Sequence, residues 1–230
     1  FNRTFELAKG TYFKWASHDD WHARESLELT VKALEANPDA ALCGTGVSIV
    51  DEDGIEYDRW TPPGDLRLPE PHQRLRRLLW TLGRYPHEMF GLVRASTLRQ
   101  TQLMCNYLGS DRVMLAELSL LGSIVYVPET LHFYTVARQT TAAPPSVKYD
   151  PANASRVQLR TWRLIYEHLR VVHRSNTATR HKLFLAGSVI SRFGVRERRR
   201  MAAEVYYYGR NLAVRSQHRM RSSSPSDGAR

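Results

Sequence analysis

The sequence predicts an α/β core followed by a basic, wholly helical extension. Stretches of helical and of strand periodicity alternate over residues 1–140, whereas only helical patterns follow between 154 and 217. Charge divides near the same point. Residues 1–150 hold 16 basic and 19 acidic side chains, and residues 151–230 hold 17 and 4, so the formal net charge of +10 belongs to the extension.

Each element has its own reason. The chain opens on a helical stretch that ends at Gly10, and the aromatic run 11–16 reads as a buried strand entering the polar turn Ser17-His18-Asp19-Asp20. Leu27, Val31 and Leu34 recur at helical spacing in an amphipathic helix over 24–37, closed by Pro38. A strand over 40–50 and a second one at 55–57 flank Asp53-Gly54, a hairpin signal. Prolines 62, 63, 69 and 71 mark a loop before a basic helix over 72–82. Residues 90–94 read as a strand and 96–102 as a helix, and Gly109-Ser110-Asp111 opens a further helix bearing Val113, Leu115, Leu118 and Leu121. Strands at 124–127 and 131–136 are divided by Pro128-Glu129. The expected divisions are a core over 1–140, a linker over 141–153, basic helices over 154–220 and a disordered tail over 221–230. In the first of those helices Leu159, Trp162, Ile165, Tyr166 and Leu169 form the expected inward stripe.

The chain has 230 residues, 42% hydrophobic, 10% aromatic and 24% charged, which excludes collagen-like, low-complexity and wholly disordered classes. Cys43 and Cys105 stand without a CxxC or a histidine cluster, so they read as two reduced thiols. No apolar run approaches the roughly 18–20 residues that span a bilayer. With no signal peptide at the start, the expectation is cytoplasmic residence, with contact to a membrane surface through the basic helices left open.

Among residues able to do chemistry, Asp19 and Asp20 offer adjacent carboxylates at the end of an apolar strand, suited to Mg²⁺ or Mn²⁺ carrying phosphate oxygens. In isolation such a pair before a helix is more often an N-cap. Asp111 reads as a general base for an acceptor hydroxyl, or as an acid that favours its helix dipole. Asp19 and Asp111 flanking a glycosidic bond would serve a hydrolase instead. His18 could assist at a metal or phosphate, or simply be solvated. His87-Glu88-Met89-Phe90-Gly91 lacks the second histidine of a zinc-protease motif. The run Arg196-Glu197-Arg198-Arg199-Arg200 and the neighbouring Tyr206-Tyr207-Tyr208 come with no RNA-binding motif, so no nucleic-acid partner is expected.

The opening string Phe1-Asn2-Arg3-Thr4-Phe5-Glu6-Leu7-Ala8-Lys9-Gly10-Thr11-Tyr12-Phe13-Lys14-Trp15-Ala16-Ser17-His18-Asp19-Asp20 resembles the middle of family 2 glycosyltransferases. Asn37-Pro38-Asp39-Ala40, Val50-Asp51-Glu52-Asp53-Gly54, Phe90-Gly91-Leu92-Val93-Arg94 and Gly109-Ser110-Asp111-Arg112-Val113-Met114-Leu115-Ala116-Glu117-Leu118 follow in the family's order, to about residue 135. The resemblance implies a GT-A (Rossmann-like) fold, a nucleotide-sugar donor, a divalent cation (Mn²⁺ or Mg²⁺), a glycan, lipid-linked or other hydroxyl acceptor, and inversion at the anomeric carbon. By position, Asp19 resembles the last carboxylate of the family's metal motif, Asp20 the acid beside it, and Asp111 the catalytic base, with residues 87–91 on the acceptor side; Asp20 and, from its place next to the pair, His18 are the expected cofactor contacts. Ser17 replaces the motif's first carboxylate, and residues 136–138 lack the histidine many members carry near the metal. The family's first strand and nucleotide loop would precede Phe1. The expectation is therefore an incomplete GT-A core, inactive alone; the alternative is a non-catalytic module that docks through its basic helices.

Overall fold

The computed structural model of the chain describes residues 1–82, 86–136 and 159–222, with side chains described to residue 210. The expected linker lies outside the described residues, as does the expected tail from residue 223 onward, while 221 and 222 continue the last helix. A helix α1 (Asn2–Leu7) leads into β1 (Tyr12–Phe13), β2 (Trp21–His22) and α2 (Ser26–Glu35); then come β3 (Ala40–Val50), β4 (Glu56–Trp60) and α3 (Pro71–Thr81). A 3₁₀ turn (His87–Phe90) precedes β5 (Leu92–Arg94), α4 (Ala95–Leu98), α5 (Ser110–Leu121) and β6 (Ser123–Thr135). The helices α6 (Arg160–Arg174), α7 (Thr179–Arg196) and α8 (Arg198–Ser222) complete the described chain.

The strands form one sheet in the order β1-β5-β3-β6-β2, with β4 paired to the far end of β3. The central pair β3 and β6 is parallel and the other pairs are antiparallel. Both faces of the sheet are covered, which explains why β3 is apolar almost throughout rather than alternating. Leu42, Val93 and Ile124 point to one face, where Phe5, Trp15, Leu98, Leu115 and Leu118 pack on them. Their sequence neighbours Cys43, Leu92 and Val125 point to the other face, against Leu34 of α2.

β6 corrects the expectation of two strands, because Pro128 and Glu129 bulge out of a continuous strand instead of ending it. Register slips between Thr45, paired with Val127, and Gly46, paired with Thr130. Gly46 makes room for the bulge: a Cβ there would meet the Glu129 carbonyl oxygen at 3.0 Å. The run 11–16 forms strand only over Tyr12–Phe13, and the helix expected over 96–102 is the single turn α4.

The basic helices are built into the core. Val171 and Val172 of α6 and Leu185, Val189 and Phe193 of α7 share a cluster with Leu75 and Leu79 of α3 and with Val113 and Ala116 of α5. The inward side of α6 is Thr161, His168, Val171 and Val172, so the stripe read from sequence is rotated: Trp162 and Tyr166 face outward. Three arginines add side-chain donors to carbonyls at or just after helix C-termini. Arg94 donates to Leu34 in the last turn of α2 and to Asn37 beyond it, Arg74 to Ser119 and Leu120 of α5, and Arg192 to Leu79 of α3. No described helix is long and apolar enough to cross a membrane.

Candidate active site

Ser17, His18 and Asp19 form a tip at the end of the β1 segment. The Ser17 hydroxyl donates to Asp19 Oδ1, and His18 Nδ1 lies 3.7 Å from the same oxygen. The Asp19 side chain is 50% exposed and that of His18 94%. Asp20 turns the other way. Its carboxylate is 1% exposed; Oδ2 meets His132 Nε2 at 3.0 Å and Oδ1 accepts the Thr135 backbone N–H at 3.1 Å. This reversal follows from strand alternation: Asp20 and His22 face inward while Trp21, between them, stacks outside on Phe133 at 4.2 Å. Asp20 therefore fastens the tip to β6 through both carboxylate oxygens, while Asp19 beside it keeps its carboxylate outward.

Beneath the tip lies a layer of rings. His132 packs against His22 at 4.7 Å and Phe90 at 5.4 Å, and His87 against Trp60 at 5.5 Å and Tyr134 at 5.6 Å. Burial pushes the His22 and His87 imidazoles down to about 4, so both are neutral at pH 7. The Lys14 amine, which donates to the Phe90 carbonyl, is lowered by burial to about 8, against opposing pulls from Cys43 and Asp20. Burial lifts the Cys43 thiol to about 12, which keeps it protonated and inert.

Asp111 lies in the first turn of α5, behind Gly109, whose φ of 91° requires glycine. Its Oδ1 accepts the Arg112 backbone N–H at 2.8 Å, and burial raises its pKa against the opposing pull of Arg112. Arg112 acts in the same sense on Glu88, which burial holds toward the protonated form and whose Oε1 receives the Tyr126 hydroxyl at 3.2 Å. The loop before α5 is tied to the other end of the site by α1. Asn2 brackets Met104 with two hydrogen bonds of 2.9 and 3.1 Å, and Trp15 Nε1 donates to the Phe1 carbonyl at 3.3 Å. The extension completes the wall, since Leu164 of α6 fills the space a Cβ at Gly109 would need and Arg163 stacks over Tyr107 at 4.3 Å. The structure thus separates the carboxylates singled out in the sequence: Asp19 outward, Asp20 inward on His132, Asp111 on α5 beside Arg112.

Asp19 and Ser17 offer one carboxylate and one hydroxyl, hard oxygen donors of the kind Mg²⁺ and Mn²⁺ prefer, with His18 beside them. That set fits a cation held by a single carboxylate, with its remaining positions open to phosphate oxygens. Both Asp20 oxygens are already engaged.

Residues 1–100 match the Glycosyl transferase family 2 model. No curated protein sequence matches the chain. Among solved structures the chain is similar to S. aureus TarS 1-349, with a TM-score of 0.56 at 10% identity, over 86% of this chain and 51% of that one. It is likewise similar to the same protein in complex with UDP-GlcNAc, with a TM-score of 0.55, 11% identity and 85% and 52% coverage. The chain spans about half the length of these structures. The family match thus covers less than half of the chain, and the fold is of the GT-A type. The matched region contains Ser17 to Asp20; Asp111 lies beyond it.

Proposed function

We propose that the protein transfers a sugar from a nucleotide-sugar donor to an acceptor hydroxyl, with inversion at the anomeric carbon and with help from a divalent cation. The observation that carries this reading is the family 2 region ending its apolar segment in Ser17-His18-Asp19, with Asp19 turned outward while Asp20 locks the tip in place. The neighbour bound to UDP-GlcNAc supports a nucleotide sugar as donor.

Asp111 is the base. The acceptor oxygen attacks the anomeric carbon while the bond from that carbon to the diphosphate oxygen breaks and its electron pair leaves with the phosphate. The acceptor proton passes to the Asp111 carboxylate, and a single displacement inverts the centre. Partial burial makes Asp111 a stronger base than a solvated aspartate, a gain that general-base catalysis converts into rate, about 10²–10⁴-fold in typical cases. A cation at Asp19 and Ser17 would supply positive charge for the departing diphosphate. Asp20 acts through Asp19 and is a positioning residue.

The C-terminal helices fit an anionic lipid surface. The outward face of α7 carries Leu183, Phe184, Ile190 and Val195 without an intervening charge, and Gly187 and Gly194 on it meet nothing within 4 Å. Arg180 at one end and Arg196, Arg198 and Arg199 at the other supply the complementary charge.

Calorimetric titration of the protein, purified from its own cells, with UDP-GlcNAc in Mn²⁺ tests the donor site. Binding that weakens about tenfold or more in Asp19→Asn, and equally on removing Mn²⁺, is expected. Failure to bind this donor or other nucleotide sugars in Mn²⁺ contradicts the reading.

A further inference from the structure

We propose that Glu70, His72 and His181 form a second metal site, distinct from Asp19 and selective for Zn²⁺ or a similar late transition metal, which clamps α7 to α3. The inference goes beyond sugar transfer and stands without it. Among the described residues, these three bring one ligand atom each to within 4.8 Å of one another. Glu70 is the N-cap of α3, His72 lies in its first turn, and His181 lies in the first turn of α7. The site would therefore join a helix of the α/β core to one of the C-terminal helices.

The histidine at its centre has an unmet need. His72 Nδ1 is buried without a hydrogen-bond partner, and its nearest acidic oxygen, Glu70 Oε2, stands at 3.8 Å, too far for a hydrogen bond. A metal answers that need. Ligands bound at about 2.0–2.1 Å to a tetrahedral ion lie roughly 3.3–3.5 Å apart, so the three atoms need to close by up to about 1.5 Å. The His72 and His181 rings now stack, with centroids 3.8 Å apart and planes at 26°. One ion cannot lie in the planes of two stacked rings, so binding opens the stack as the half-buried His181 side chain turns. His181 Nε2 accepts from Arg180 Nε at 3.3 Å, so the ring's lone pair lies on Nε2, and the metal takes the place of this long hydrogen bond.

The donor set also selects the ion. Two neutral imidazoles and one carboxylate suit Zn²⁺, Co²⁺, Ni²⁺ or Cu²⁺, whereas Mg²⁺ and Mn²⁺ favour oxygen. The surroundings sharpen the preference: Arg180 is adjacent and Arg76 lies 5.5 Å from the ring of Phe184, which itself packs edge-on to His72. With Glu70 as the one negative ligand, affinity must come from imidazole bonding, which hard cations do not provide. The clamp and the oxygen-rich tip at Asp19 thus take different metals.

The test uses the protein stripped of metal by a chelator and titrated with Zn²⁺ by calorimetry, and with Co²⁺ by visible absorption. About one Zn²⁺ should bind per chain with nitrogen-ligand Co²⁺ bands, and Tm should rise by about 5–10 °C at a hundredfold excess over Kd. His181→Ala should keep its Tm in chelator and lose both the rise and the Co²⁺ bands, Glu70→Gln should weaken binding about tenfold or more, and Asp19→Asn should change nothing. A protein that takes no Zn²⁺, or a His181→Ala variant that keeps the Tm rise, overturns the proposal.

Discussion

Replacing His132 with alanine removes the partner of a carboxylate that has almost no access to water. The Asp20 and His132 side chains are 1% and 2% exposed and meet at 3.0 Å. In the variant, Asp20 Oδ2 loses its partner and only the Thr135 N–H remains on Oδ1. His132 also packs against His22 and Phe90, so truncation opens a cavity as well. Breaking a buried pair from one side costs about 3–5 kcal/mol, whereas an exposed helical pair such as Glu28 with Lys32 is screened by solvent and contributes little. Urea unfolding followed by circular dichroism reads the difference as a fall in midpoint at unchanged m-value. Glu28→Gln serves as the control and should shift the midpoint little. A His132→Ala loss below about 1 kcal/mol refutes the claim that this pair fastens the tip to β6.

Other consequences follow from the same geometry. Gly46→Ala sets a Cβ 3.0 Å from the Glu129 carbonyl oxygen, which backbone cannot readily yield, and should cost about 1–3 kcal/mol in urea unfolding; a neutral result contradicts the bulge. Arg94→Lys gives up a planar fork that reaches Ala40, Leu34 and Asn37 together and should cost about 1–3 kcal/mol by the same measurement, with an unchanged midpoint counting against the capping role. His22, His87 and His168 are pushed by burial from 6.5 to about 4, so below pH about 6.5 the unfolded chain binds protons the folded chain refuses. Their contribution is level between that pH and neutrality and falls toward pH 4, by roughly 2 kcal/mol at pH 5 from His168 alone, and a flat profile from pH 7 to 5 contradicts it. Vesicles containing phosphatidylglycerol should sediment the protein while neutral vesicles should not, and Ile190→Asp should abolish it; equal binding to both removes the charge argument.

Much of the core was legible because its signals are local. Helical spacing located α2, α3 and α5 to within a few residues, and Asp53-Gly54 marked the β3–β4 hairpin, where Gly54 has a φ of 79°. Pro128-Glu129 misled because a proline in a strand ordinarily ends it, whereas here Gly46 on the partner strand absorbs the two extra residues. The stripe on α6 was misplaced because Trp162 and Tyr166 are large and apolar enough to suggest burial, while the buried positions include Thr161 and His168. At the site, the residue types at Asp19 and Asp111 were evident, but not the opposite orientations of Asp19 and Asp20. Period-two alternation through Asp20, Trp21 and His22 carried that signal, in a strand too short to recognise. His132 gives no local signal, because a histidine inside a strand shows its partner Asp20 only once β2 pairs with β6. The contribution of α6 behind Asp111 depends on contacts between residues far apart in the chain, which no local pattern encodes.

The central claim is that Asp111 takes the acceptor proton, and Asp111→Asn tests it most directly. With UDP-GlcNAc or whichever nucleotide sugar the protein binds, donor affinity and sugar transfer, with water as acceptor if necessary, should be measured on the same preparation. The account predicts turnover down by about 100-fold or more with donor affinity within about threefold of the parent. Turnover within about tenfold of the parent would contradict it.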